Sequence, residues 1–309
     1  MKNLRSHLLP ILPFVLLIST ASCNQTVAPP NADIGQIATT VPTAAAAPTI
    51  QPGNSTRKLT VNGLNREYLI HIPSGLDRSR TVPVVFAFHG YDGSSSEMQT
   101  WTGFDAIADK DSFLVVYPQG SGTDRSWNAG SCCGDANANK VDESAFIRQI
   151  LSDLSTIASV DTKRIYGLGF SNGGALMYRL GCEMSDTFAA IAPVSSVLNV
   201  PCQPHQPVSV LHVHGLEDTV APYAGGGADG WPAVEPGIAT WVKLDGCTGA
   251  AQVETQQSII THTVYASCRA GTAVELYTVG GADHEWPSIQ QRLPISKVIW
   301  DFFAAHPKA

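Results

Sequence analysis

The six residues GFSNGG, 169–174, set Ser171 between glycines just after the mostly apolar run Ile165–Leu168. A serine hydroxyl is a weak nucleophile unless a base takes its proton and an acid orients that base. The chain supplies both downstream. Asp218 lies in HGLEDTV, 214–220, directly after the apolar run Val208–Val213, with Glu217 as its nearest rival. His284 lies in GGADHEWP, 280–287, directly after Val274–Val279, whereas His262 and His306 have no such setting. A serine, an acid and a histidine, each closing its own apolar run, point to acyl transfer. Ser171 would be the nucleophile, His284 the base and Asp218 its partner.

The negative oxygen formed in such a step needs hydrogen-bond donors. A helix starting after Ser171 would aim the backbone N–H of Asn172 at it. A second donor is expected from FHGY, 88–91, either the N–H of Tyr91 or that of Gly90. His89 is expected to organise this loop beside the substrate pocket. Gly169 and Gly173 remove side chains where a strand turns sharply into a helix.

These loops need elements to hold them. Leu59–Val61 and Arg66–Ile72 read as a hairpin turning at Asn62-Gly63. Further strands are expected at Val82–Phe88, Ser112–Tyr117, Ile165–Phe170, Phe188–Val194, Val208–Val213, Val264–Ala266 and Val274–Val279. Helical spacing links Trp101, Phe104, Ile107 and Ala108, and recurs over Val141–Ala158, Gly174–Leu180, Ile238–Leu244 and Pro294–Ala304. Continuous apolar strands alternating with helices predict an α/β protein, its mostly parallel central sheet covered by helices on both faces. The order serine, acid, histidine is that of the α/β-hydrolase fold.

The chain start has a different texture. Residues 1–23 carry Lys2 and Arg5, an apolar stretch from Leu8 to Ile18 broken by two prolines, then small residues and Cys23. This reads as an export signal. TASC at 20–23 resembles a bacterial lipobox, with Cys23 lipidated as the first mature residue; ordinary cleavage near Ala21 or Ser22 is the alternative. Residues 24–56 read as a disordered tether rich in Ala, Pro and Thr. A single catalytic domain over 57–309 follows. The expected location is extracytoplasmic, either secreted or held to the bacterial envelope by that lipid alone. The net charge of −7, with no basic block, argues against a nucleic-acid partner. Besides Cys23 there are Cys132, Cys133, Cys182, Cys202, Cys247 and Cys268, an even set that suits disulfides outside the cytoplasm. Cys247–Cys268 is the best single pair, closing a short local loop. The adjacent Cys132 and Cys133 are expected to reach two different partners. Irregular spacing without a CxxC unit argues against zinc.

The chain resembles the polyhydroxybutyrate depolymerase / feruloyl esterase group of secreted α/β-hydrolases, related to the acetyl-xylan and feruloyl carbohydrate esterases of family 1. The resemblance rests on FHGYDGSS (88–95), WTGFDAIAD (101–109), VVYPQG (115–120), SWNAGSCCGDA (126–136), VDESAFIRQIL (141–151) and RIYGLGFSNGGALMYRLGCE (164–183). It continues through LHVHGLEDTVAPYAGG (211–226), WVKLDGC (241–247) and GADHEWP (281–287). It implies ester cleavage through an acyl-enzyme on Ser171, with Asp218 and His284 in the roles above and no metal or organic cofactor. The implied substrates are acylated plant polysaccharide or a small aromatic or hydroxyalkanoate ester, and a monomer is expected. Two departures stand out. Asp142-Glu143 replaces the two aspartates of many relatives, and AGGGADGWPAVEP, 224–236, looks expanded enough to reshape the pocket. Trp127 and Trp286 are candidates for packing a substrate aromatic or sugar face, with core packing as the alternative. No separate polymer-binding domain is seen, which weakens a role on insoluble polyester. The rival readings are a serine peptidase of the same fold and a non-catalytic lipoprotein that binds glycan or protein.

Overall fold

Alternate side chains of Val82–Phe88 enter different cores. Val84, Phe86 and Phe88 join one apolar cluster, and Val85 and Ala87 the other. A strand buried on both faces in this way must lie inside a sheet covered twice. The computed structural model describes residues 51–309. The expected export signal, Cys23 and nearly all of the expected tether lie outside the described residues.

In chain order the elements are β1 (Gly53–Val61), β2 (Leu64–Ile72), β3 (Val82–Phe88), α1 (Ser95–Thr102), α2 (Phe104–Asp111), β4 (Leu114–Pro118), α3 (Gly134–Ala138), α4 (Glu143–Leu154), β5 (Val160–Phe170) and α5 (Asn172–Glu183). They continue with β6 (Ala190–Val194), β7 (Ser209–Gly215), α6 (Val234–Leu244), β8 (Gln252–Gln256), β9 (Ile260–Tyr265), β10 (Val274–Val279), α7 (Trp286–Gln290) and α8 (Ile295–Ala305). The strands form one sheet in the order β1-β2-β4-β3-β5-β6-β7-β10-β9-β8. The run from β4 to β10 is parallel, and antiparallel hairpins close both edges. Helices α4, α5 and α6 cover one face, through Phe146, Ile150, Leu176 and Trp241 among others. Helices α1, α2 and α8 cover the other, through Met98, Phe104, Ile299 and Phe303.

Several boundaries differ from the sequence reading. Residues 53–56, assigned to the tether, belong to β1, because Gly53–Thr56 pair with Leu69–Ile72. The single helix expected around Trp101–Ala108 is two. Gly103, at φ 58°, ends α1 and starts α2. The helix expected over Gly174–Leu180 runs on through Gly181 to Glu183, and a Cβ on Gly181 would stand 2.8 Å from Ile191. Strand β8 went unseen because QVETQ is exposed throughout and carries no alternating apolar signal.

The disulfides are Cys132–Cys133, Cys182–Cys202 and Cys247–Cys268. The last was expected. The first corrects the reading of Cys132 and Cys133: the other four cysteines pair with each other, and the adjacent two close on themselves.

Candidate active site

Ser171 occupies the turn between β5 and α5 at φ 53° and ψ −118°. A side chain rarely holds this left-handed conformation, and such strain gathers at functional turns. Two contacts fix it. The Ser171 N–H donates to the Val194 carbonyl at 2.9 Å, and the Ser171 carbonyl accepts from the Ala175 N–H at 2.9 Å. The glycines do what their positions implied. A methyl on Gly169 would strike the Gly173 carbonyl, and one on Gly173 would stand 2.5 Å from the carbonyls of Phe88 and His89. The turn can therefore press against the end of β3.

His284 reaches over from the loop after β10. Its Nδ1 lies 2.7 Å from Asp218 Oδ2, and its Nε2 lies 2.9 Å from Ser171 Oγ. A carboxylate only accepts, so Nδ1 carries the proton, and Nε2 is left to accept from the serine hydroxyl. Asp218 follows β7 and is buried. Its Oδ1 accepts the N–H groups of Val220 and Ala221 at 3.0 and 2.7 Å. Burial pushes its carboxyl up, but the hydrogen bonds from His214, His284 and the Ala221 N–H outweigh that and hold it well below the usual carboxylate range. The rivals lie elsewhere. Glu217 accepts the Gly281 N–H, His262 pairs with Glu275, and His306 Nδ1 meets the Phe302 carbonyl.

The first turn of α5 carries no side-chain cap, which leaves the Asn172 N–H free to face the site. Tyr91 and Asn172 both border the space around Ser171. Behind them is a buried frame. The Asn172 amide exchanges two hydrogen bonds with the backbone of Trp127, at 2.8 and 3.1 Å, and Trp127 Nε1 donates to the His89 carbonyl at 2.8 Å. His89 donates from Nδ1 to the Gly90 carbonyl and accepts the Gly120 N–H at Nε2. Burial pushes its imidazole down to about 4, so the ring is neutral at physiological pH. Glu143, one of the two departures noted above, anchors the same frame. It accepts the Asn128 N–H and pairs with Arg66 at 3.0 Å.

The profile of the Esterase PHB depolymerase family matches residues 66–260. The chain belongs to this esterase family. Feruloyl esterase B of Piromyces equi is 30% identical over 252 residues, which cover 77% of this chain and 44% of that protein. The chain thus spans less than half the length of that relative. The putative esterase NocK of Nocardia uniformis subsp. tsuyamanensis is 30% identical over 282 residues, covering 85% of this chain and 76% of that one. An acetyl xylan esterase from Aspergillus awamori superposes with a TM-score of 0.60 at 15% identity, covering 81% of this chain and 99% of that structure. That likeness is one of fold, the α/β-hydrolase fold.

In this member of the esterase family a cavity of about 740 Å³ opens on Ser171. It falls within the roughly 300–1,000 Å³ usual for small-molecule sites. Three of its lining residues hold buried polar atoms without a protein partner among the described residues: Ser195 Oγ, both amide atoms of Asn199, and Trp231 Nε1. Such atoms are open to a polar ligand group or to water. Trp231 belongs to the segment 224–236 that the sequence singled out, so that segment does shape the pocket. The aromatic candidates need correction. Trp127 and Trp286 are fully buried in the two cores, and neither borders the cavity. Trp127 is held by its indole N–H and packs edge-on to Phe88. His89 is likewise a part of the frame and not of the wall. Trp231 was open to discovery only as a tryptophan inside an irregular loop next to Asp218.

Proposed function

We propose that the protein is a serine hydrolase of carboxylic esters, acting outside the cytoplasm on feruloyl or acetyl groups of polysaccharide or on short hydroxyalkanoate esters. The observation that carries this reading is the run of contacts Ser171–His284–Asp218 at 2.9 and 2.7 Å. Ser171 Oγ attacks the ester carbonyl while His284 Nε2 takes its proton. Asp218 steadies the imidazolium, and the N–H groups of Asn172 and Tyr91 receive the developing oxyanion. His284 then protonates the leaving alcohol. Water, deprotonated by the same nitrogen, releases the acid and restores Ser171.

A sugar or aromatic ester is favoured over a plain aliphatic one by the orphaned polar atoms of Ser195, Asn199 and Trp231. The relatives named feruloyl esterase and acetylxylan esterase support the same choice. The export signal and three disulfides support an extracytoplasmic site of action. Lipidation of Cys23 would hold the enzyme at the envelope as a monomer, and mass spectrometry of the mature N-terminus tests it. The activity is tested by kcat/KM on methyl ferulate, acetylated xylan and a soluble hydroxybutyrate oligomer, with Ser171→Ala alongside. The expected result is turnover highest on the first two and absent from the variant. Equal turnover by Ser171→Ala would refute the mechanism.

A further inference from the structure

His212 and His214 lie two positions apart on β7, so they point to the same face of the sheet. That is the face covered by α5 and α6, and both rings are fully buried there. Neither takes part in the proton transfers of the ester cleavage, although His214 hydrogen-bonds to Asp218. Buried imidazoles need partners, and theirs form a line. Tyr178 Oη lies 2.9 Å from His212 Nδ1, His212 Nε2 lies 3.0 Å from His214 Nδ1, and His214 Nε2 lies 2.8 Å from the Ala221 carbonyl.

The direction of this line follows from its last member. A carbonyl only accepts, so His214 Nε2 carries a proton. In a neutral ring Nδ1 must then accept, so His212 Nε2 donates to it. By the same step His212 Nδ1 accepts from the Tyr178 hydroxyl. Burial keeps the His212 ring neutral and the Tyr178 hydroxyl protonated, since it pushes the first well below its ordinary value and the second well above its own. All three donors thus run one way, from α5 toward the acid loop. The final N–H also lies 3.4 Å from Asp218 Oδ2. Ala221, whose carbonyl it holds, donates its own N–H to Asp218 Oδ1.

We propose that Tyr178, His212 and His214 are positioning residues, a buried strut that fixes the Asp218 carboxylate against His284 and ties it to the helix that starts at Ser171. This rests on the ester-hydrolase reading of the site. A chain that merely satisfied buried polar atoms could end anywhere; this one ends on the carboxylate and on the loop that cradles it. Tyr178 stands two turns along α5 from the nucleophile, so the strut joins two of the three reacting loops through the core.

The test uses the full chain and the variants Tyr178→Phe, His214→Leu and His214→Gln, each checked for folding by circular dichroism. On p-nitrophenyl acetate, His214→Leu is expected to lose about 10- to 100-fold in kcat, the effect of a lost hydrogen bond to a charged group, and Tyr178→Phe about 3- to 10-fold, the effect of one lost between neutral groups, both with KM within about twofold. His214→Gln keeps an N–H near the position of Nε2 and is expected to recover part of the loss. The low-field proton resonance of His284 Nδ1–H should shift in Tyr178→Phe and His214→Leu. Folded variants that keep kcat within about twofold, or lose only in KM with the resonance unmoved, would overturn the strut. If His214→Leu does not fold, Tyr178→Phe and His214→Gln carry the same comparison. If the wild-type protein turns over no ester, the ester-hydrolase reading falls instead. The resonance alone then decides the strut, upheld by a shift in the variants and overturned by none.

Discussion

At the residue scale the site is made by close approach. Gly173 lets the first turn of α5 press on the carbonyls of Phe88 and His89, the loop that presents Tyr91. Gly173→Ala would force these apart and is expected to cut kcat by at least about tenfold, since a small misplacement of catalytic groups is costly. A stopped assay beside a thermal melt separates that loss from unfolding. Asn199 makes the second case. Its side-chain amide has no hydrogen-bond partner among the described residues, so Asn199→Leu should lower kcat/KM on methyl ferulate by about tenfold, the worth of a hydrogen bond to the substrate. On p-nitrophenyl acetate the change should be small, and the ratio of the two values is the readout. Ser171, Asp218 and His284 were legible in the sequence because each closes an apolar run, and the end of a parallel strand is where such residues gather. Trp127 and Trp286 misled because a tryptophan beside a reactive residue serves a core as readily as a pocket. The strut of Tyr178, His212 and His214 was not legible, because Tyr178 and His212 are far apart in sequence and meet only when α5 packs on the sheet.

At the element scale, α6 ends on a buried carboxyl. Asp245 accepts the Val208 N–H at 3.2 Å through one oxygen, and its other oxygen has no hydrogen-bond partner among the described residues. Burial pushes its pKa up to about 7, above the roughly 3.9 of an unfolded chain. The folded state therefore binds more protons than the unfolded state between about pH 4 and pH 7. Stability contributed by this group is present below that window and is lost as pH rises through it. Asp245→Asn is expected to melt higher than the wild type at pH 8 by a few degrees, with little gain at pH 5. Melts across the pH range check this, and a wild-type Tm that rose with pH together with an unchanged variant would contradict it. The elements themselves were largely legible, because β3, β7 and β10 are apolar runs of strand length. The divided helix at Gly103 and the exposed β8 were not. A left-handed glycine joins two helices without breaking their apolar spacing, and an edge strand needs no buried residue of its own.

At the scale of the whole molecule, a parallel centre with antiparallel edges places Ser171, Asp218 and His284 at one end of the sheet. Fold class followed from the alternation of strands and helices, but the order of the strands did not, since it depends on which runs pair. The disulfides show the same limit: Cys247–Cys268 could be read from its short separation, whereas adjacency argued wrongly about Cys132 and Cys133. Cys182–Cys202 ties α5 to the segment before β7 across a separation of 20 residues. Replacing both with serine should cost about 3 kcal/mol by the loop-closure account. Denaturant titration measures it, with activity expected to persist at low temperature.

The central claim is that Ser171 is the nucleophile, activated by His284. It is tested most directly by labelling the folded protein with a fluorophosphonate probe and mapping the adduct by peptide mass spectrometry, for the wild type and for His284→Ala. One adduct on Ser171, formed rapidly by the wild type and far more slowly by His284→Ala, is the predicted result. An adduct on another residue, or labelling of Ser171 at the same rate without His284, would contradict it.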